Sequence, residues 1–139
     1  KDPVKRTIEK RMWKKLGVYI RRRAGGQCEL CNYNHRTVRG ADVDHCFSAS
    51  GAPELRWEPE NLTLLCKACH TQKSFCVHGI EKDVDTAVRN REGTDWWINA
   101  KGRSKRTKIW NVGDLEDQEA FIDELLQRVG EQHGEDSNS

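Results

Sequence analysis

No stretch of this 139-residue chain is apolar over membrane length, and no secretory signal opens it. A membrane-spanning helix is excluded, and a disulfide framework loses the oxidising setting it needs, so the reading is of a cytoplasmic protein. Hydrophobic residues are few: 35% of the chain against 33% charged, with a mean hydropathy of −0.89. The core must therefore be small, and small cores are commonly stabilised by a metal or by disulfides. No internal repeat is present. The length suits one compact domain with helical additions.

What is present is charge, unevenly spread. Residues 114–139 carry nine Asp or Glu against the single Arg128, a balance of −8. Residues 1–113 hold 23 basic and 13 acidic residues, or +10, which the overall net charge of +2 conceals. A body that basic suits nucleic acid, because Lys and Arg contacts to phosphate release counterions. A solvated surface with a solubilising tail is the plainer alternative.

Four segments follow from patterning. Residues 1–26 contain an amphipathic helix over 5–24, where Ile8, Met12, Leu16, Tyr19 and Ile20 recur at helical steps until Gly25-Gly26. Its polar faces carry Lys10, Arg11, Lys14 and Lys15, candidates for DNA-backbone contact or for a solvated face. Residues 27–76 form the compact centre: a knuckle turn at Cys28–Cys31, a strand over Thr37–Val43, and a loop over 46–60. A second strand over Asn61–Leu65 and a helix from Lys67 complete a β-β-α unit.

Residues 77–130 form a helical extension. Its first element, 79–92, puts Ile80, Val84, Ala87 and Val88 on one face; Trp96-Trp97-Ile98 and a basic run with Lys101, Arg103, Lys105 and Arg106 follow. The tryptophans suit either core packing or base stacking. A last helix, N-capped by Asp114, is expected to bury Leu115, Phe121, Ile122, Leu125, Leu126 and Val129, and its acidic face offers a surface to a protein partner. Residues 131–139 are polar and read as disordered.

Chemistry concentrates in the centre. Cys28-x2-Cys31 and Cys66-x2-Cys69 supply four thiolates in two clips, and a two-residue gap lets both sulfurs of a clip reach one tetrahedral zinc. Cys46 and Cys76 have no clip partner and read as small buried residues. Asp44 and His45 are adjacent at a strand end, so their side chains diverge: one can bind a cation while the other takes a proton. His70, next to Cys69 on the helix, turns away from the zinc ligand and can face Asp44 across the hairpin. A carboxylate plus one imidazole leaves positions open for water and a phosphate oxygen. An imidazole is suited to deprotonating water near neutral pH. The Asn61 amide can bond loop backbone and hold 46–60 against the first strand.

Together, Asp44-His45, Asn61 and His70 within the two Cys clips resemble the HNH nucleases of the ββα-metal superfamily, in the zinc-stabilised McrA-like branch. The nine-residue step from Asn61 to His70 and the Cys66-x2-Cys69-His70-x2-Lys73 ending carry the likeness. It implies an α+β fold, with a ββα-metal core, a four-cysteine zinc site and added helices at both ends. It further implies His45 as general base, Asp44 and His70 as ligands of a catalytic ion, and Asn61 as the loop-fixing residue. Ser74 stands where some relatives add a third histidine ligand, which favours Mg²⁺ or Mn²⁺ over catalytic zinc. The products would be a 5′-phosphate and a 3′-hydroxyl. Lys73 suits phosphate contact or solvent.

A second, local resemblance joins Asp44-His45-Cys46-Phe47-Ser48 and Leu55-Arg56-Trp57 to the phage NinG/Rap recombination endonucleases, which implies branched DNA as substrate. The expected function is thus a metal-dependent DNA endonuclease in a bacterial or phage-infected cell. The alternatives are a non-catalytic zinc-dependent DNA-binding module, or a sequence-tolerant nicking enzyme associated with phage DNA packaging. A nuclease fold used only as an interaction component is a further one.

Overall fold

Asp2 caps the first helix, accepting from the Val4 N–H at 2.9 Å, and Pro3 supplies a preset φ at its start. The computed structural model describes residues 2–71 and 83–137, with side chains as far as residue 130. This first helix, α1 (Pro3–Arg23), ends in three arginines, which suit the negative end of its dipole, before Gly25 and Gly26 at positive φ. Ile8, Met12, Leu16 and Ile20, four apart, are buried in one stripe.

The knuckle is more ordered than a turn: Glu29–Tyr33 form a short helix, α2, which the Cys28 sulfur caps by accepting from the Cys31 N–H. The first strand, β1, is Asp42–His45, later than the expected Thr37–Val43. Residues 38–40 are engaged elsewhere: Val38 O accepts from Cys28 N, Arg39 bridges Gln27, and Gly40 N donates to Gly26 O. Those bonds fold the segment back onto the knuckle. Gly40 is required there, because a Cβ would lie 2.4 Å from the Leu64 side chain.

The second strand, β2 (Leu62–Leu65), pairs antiparallel with β1, setting Asp44 opposite Thr63 and His45 opposite Leu62. It is buried on both faces. Leu62 and Leu64 join the α1 core, while Leu65 joins the core around the four cysteines. The helix α3 (Lys67–Thr71) follows, completing the ββα unit. The proposed contact of Lys73, the Ser74 position, Cys76 and Ile80 lie outside the described residues.

Two helices in the extension, α4 (Val84–Glu92) and α5 (Thr94–Arg103), meet at Gly93, whose φ of 94° suits glycine. Trp97 on α5 is core: it packs on Phe47 at 5.0 Å between ring centroids. A last helix, α6 (Val112–Ser137), starts two residues before Asp114. Asn111 is its cap, accepting from Asp114 N while Asp114 accepts from Asn111 N. The helix extends well into residues 131–139, where composition predicts no structure. Leu115 and Ile122 pack on α1, but Phe121 is 42% exposed and does not belong to the buried stripe.

No helix among the described residues is long and apolar enough to cross a membrane.

Candidate active site and metal centre

The four clip cysteines converge from two elements, α2 and the β2–α3 junction, with all four sulfurs within 4.8 Å of one another. Cys31 Sγ lies 3.9 Å from Cys66 Sγ and 3.7 Å from Cys69 Sγ. A tetrahedron of sulfurs at the zinc bond length of about 2.3 Å has edges of about 3.8 Å, so the set fits zinc. Burial, with the nearby Cys28, pushes the Cys31 thiol up to about 12, and burial likewise raises Cys69. Four thiolates in so apolar a place need a cation to neutralise them.

The second constellation sits on the same hairpin. Strand alternation sends Val43 and His45 toward α1, and Asp44 to the opposite side. Asp44 Oδ1 accepts from His45 N at 2.9 Å, which fixes the carboxylate, and Oδ2 lies 3.4 Å from His70 Nδ1 on α3. Neighbouring ligands around an ion bound at about 2.1 Å are about 3 Å apart, so one oxygen and one nitrogen fit a single divalent ion. Asp44 is largely buried while the His70 side chain is 43% exposed. The pair therefore opens to solvent on its His70 side, as an ion that keeps water and takes substrate requires.

His45 is oriented by backbone. Its Nε2 is 2.9 Å from the Arg56 carbonyl oxygen, and a carbonyl can only accept, so Nε2 carries the proton of the neutral ring. Nδ1 is then the basic nitrogen. Asn61, fully buried, holds the loop that delivers that carbonyl. Its Oδ1 accepts from Phe47 N at 2.7 Å, and its Nδ2 donates to Phe47 O and Leu55 O, each at 3.0 Å.

Residues 28–75 match the HNH endonuclease family model. The match covers about a third of the chain and contains both the Cys cluster and the Asp44–His45–Asn61–His70 set. Members of the HNH family are nucleases acting on DNA. No curated protein and no solved structure matches the chain.

Outside the HNH segment, α1 completes the surroundings. Trp13 stacks on His45, ring centroids 5.4 Å apart and planes 10° from parallel. Lys10 lines a groove with His45, and Lys14 lines a second with His70. Arg11 and Lys15, read from sequence as backbone contacts, are taken up by α6 instead. Arg11 forms a two-pronged pair with Glu119, and Lys15 reaches Glu119 at 3.0 Å and Asp123 at 2.8 Å. Glu119 and Asp123 of the acidic helix α6 are thus paired within the chain.

The other cations divide in the same way. Arg103 pairs with both oxygens of Glu58, and Arg106 lies 3.6 Å from Glu54. Lys101 and Lys105 are exposed. Trp13 was missed in the sequence, although a tryptophan on the polar flank of α1, off the Ile8–Met12–Leu16–Ile20 stripe, was the available signal. The Arg56 carbonyl carries no side-chain signature at all.

Proposed function

We propose that this chain is a metal-dependent DNA endonuclease that hydrolyses phosphodiester bonds with His45 as general base. The observation that carries the reading is the 3.4 Å approach of Asp44 Oδ2 to His70 Nδ1, with the residue next to Asp44 in sequence, His45, offering an imidazole whose Nε2 is engaged by a backbone carbonyl. A purely DNA-binding module has no use for that arrangement.

Asp44 and His70 would hold Mg²⁺ or Mn²⁺, which would polarise the scissile phosphate and offset charge on the leaving oxygen. His45 Nδ1 accepts a proton from the attacking water, while the Arg56 carbonyl retains the Nε2 proton and stabilises the imidazolium that forms. Asn61 keeps that carbonyl in place. Lys10, Lys14, Lys101 and Lys105 supply phosphate contacts that carry no sequence information. The four cysteines would hold a structural zinc. The Asp44–Ser48 and Leu55–Trp57 likeness to junction-cutting phage enzymes supports branched DNA as the preferred substrate.

Supercoiled plasmid incubated with wild type and His45→Ala, with and without Mg²⁺ or Mn²⁺, tests the core claim. Metal-dependent nicking by wild type, falling about 10²–10⁴-fold in His45→Ala, is expected. Cleavage by the variant at near wild-type rate, or none by either protein, overturns the enzyme reading. A labelled four-way junction competed with unlabelled duplex tests the finer claim, and equal competition by duplex removes it.

A further inference from the structure

The groove on the His45 side of Trp13 belongs to no part of the HNH segment alone. It has a volume of about 380 Å³ and draws one wall from α1, through Arg6, Lys10 and Trp13, and the other from His45, Arg56 and Trp57. That volume lies within the range of small-molecule sites, roughly 300–1,000 Å³. The wall from α1 lies upstream of residues 28–75.

We infer that this groove is a subsite for the nucleotide flanking the scissile phosphate, with Trp13 as its stacking surface and Arg6, Lys10 and Arg56 around its phosphate. The inference rests on the endonuclease reading above. Charge carries the first part of it: three cations line the groove against one carboxylate, Glu9, which lies 3.6 Å from Arg56. Among the described residues neither Arg6 nor Lys10 has an ion-pair partner, whereas Arg11 and Lys15 on the opposite flank are both paired. Arg6 and Lys10 thus bring unpaired positive charge of α1 to the groove.

The aromatic walls carry the second part. One face of Trp13 lies on His45, yet the residue is still 39% exposed, and it lines both the His45 groove and the His70 groove. An aromatic face open between two grooves is a surface on which a base can stack without regard to sequence. Trp57 is 3% exposed, and its indole N–H is buried with no acceptor among the described residues. Continuity supplies the third part: the imidazole that would deprotonate the attacking water lines this same groove. A nucleotide seated there is adjacent to the bond being cut.

The test is binding, measured on the full chain with its zinc and without added Mg²⁺ or Mn²⁺, so that no cleavage intervenes. Short single-stranded DNA carrying 5-iododeoxyuridine at successive positions is irradiated with the protein, and the cross-linked peptide is mapped by mass spectrometry. Cross-linking at Trp13 is expected. Trp13→Ala should abolish it and weaken binding about 5- to 100-fold, with Trp13→Phe recovering most of the affinity. Arg6→Ala with Lys10→Ala should weaken binding while keeping the Trp13 cross-link. Neither Trp13 nor Lys10 belongs to the buried stripe of α1, so unchanged circular dichroism is the control for folding.

Wild type that binds and nicks DNA while cross-linking only elsewhere, with Trp13→Ala binding as tightly as wild type, overturns this inference and leaves the endonuclease reading standing. Wild type that neither binds nor nicks DNA removes both.

Discussion

Asn61 spends all of its amide on the loop that orients His45, so its replacement separates architecture from chemistry. Asn61→Ala would strand the Phe47 N–H and the Phe47 carbonyl, at about 1–3 kcal/mol for each group left unsatisfied, and would leave the Leu55 carbonyl with the Glu58 N–H alone. Asn61→Asp would keep the acceptor for Phe47 N and lose both donors. We expect Asn61→Ala to lower the melting temperature by several degrees and to reduce nicking without affecting metal affinity, and Asn61→Asp to fall between it and wild type. Thermal melts paired with isothermal titration of Mn²⁺ measure both; unaltered stability in Asn61→Ala would remove the loop-fixing role. At this scale much was legible. Adjacent Asp44 and His45 must diverge on any strand, and the two-residue Cys gaps suit one tetrahedral ion on any backbone. The Arg56 carbonyl and the Trp13 stack were not legible, because each depends on a contact between segments distant in sequence.

At the scale of elements, α1 has three working faces. Its buried stripe was plain from spacing, but the division of its cations was not. Positions 11 and 15 flank the stripe on the side that α6 approaches, while 6, 10 and 14 lie on the side facing the hairpin. Sequence could not assign the flanks without knowing where α6 docks. The same limit displaced β1: residues 38–40 have strand character but bond to residues 26–28, so pairing with β2 begins only where Ala41 N reaches Leu65 O and the register starts at Asp42. Two expectations follow from the division. Neutralising Lys10 and Lys14 together should flatten the dependence of DNA affinity on salt by about 0.9 log units per lost phosphate contact per log of salt, whereas neutralising Arg11 and Lys15 should mainly destabilise the fold. Equal slopes for the two double variants in salt-titrated anisotropy would remove the assignment. The second expectation concerns acid. The hydrogen bonds from Arg11 hold the Glu119 carboxyl down at about 2, against an ordinary value of 4.5. A depressed carboxyl stabilises the fold above its unfolded value and loses that contribution as pH falls through its folded one. Melting temperature should therefore drop between about pH 4.5 and 2, less steeply in Glu119→Gln; parallel curves would show that the pair is not coupled to folding.

For the whole molecule, the four-cysteine site and the proposed Asp44–His70 ion site differ in depth, and that difference can be read by staged chelation. The cysteine site lies in the core that joins α2, β2, α4 and α5. Its sulfurs belong to residues at most 5% exposed. Structural zinc contributes on the order of 10 kcal/mol or more of apparent folding free energy. A domain's net stability is only about 5–15 kcal/mol, so this chain without zinc should not hold its fold. Asp44 and His70, by contrast, offer two protein ligands at an open edge, and an ion there should exchange readily. Brief dilute chelator should therefore abolish nicking while circular dichroism and one zinc per chain are retained, and added Mg²⁺ should restore activity. Prolonged strong chelation, or Cys66→Ser, should remove zinc and secondary structure together, with no rescue by Mg²⁺. The order matters more than either endpoint. Loss of fold before loss of nicking would mean that one ion serves both purposes, and folded, cleaving protein found by elemental analysis to hold no zinc would show that the four cysteines support the fold as thiols alone.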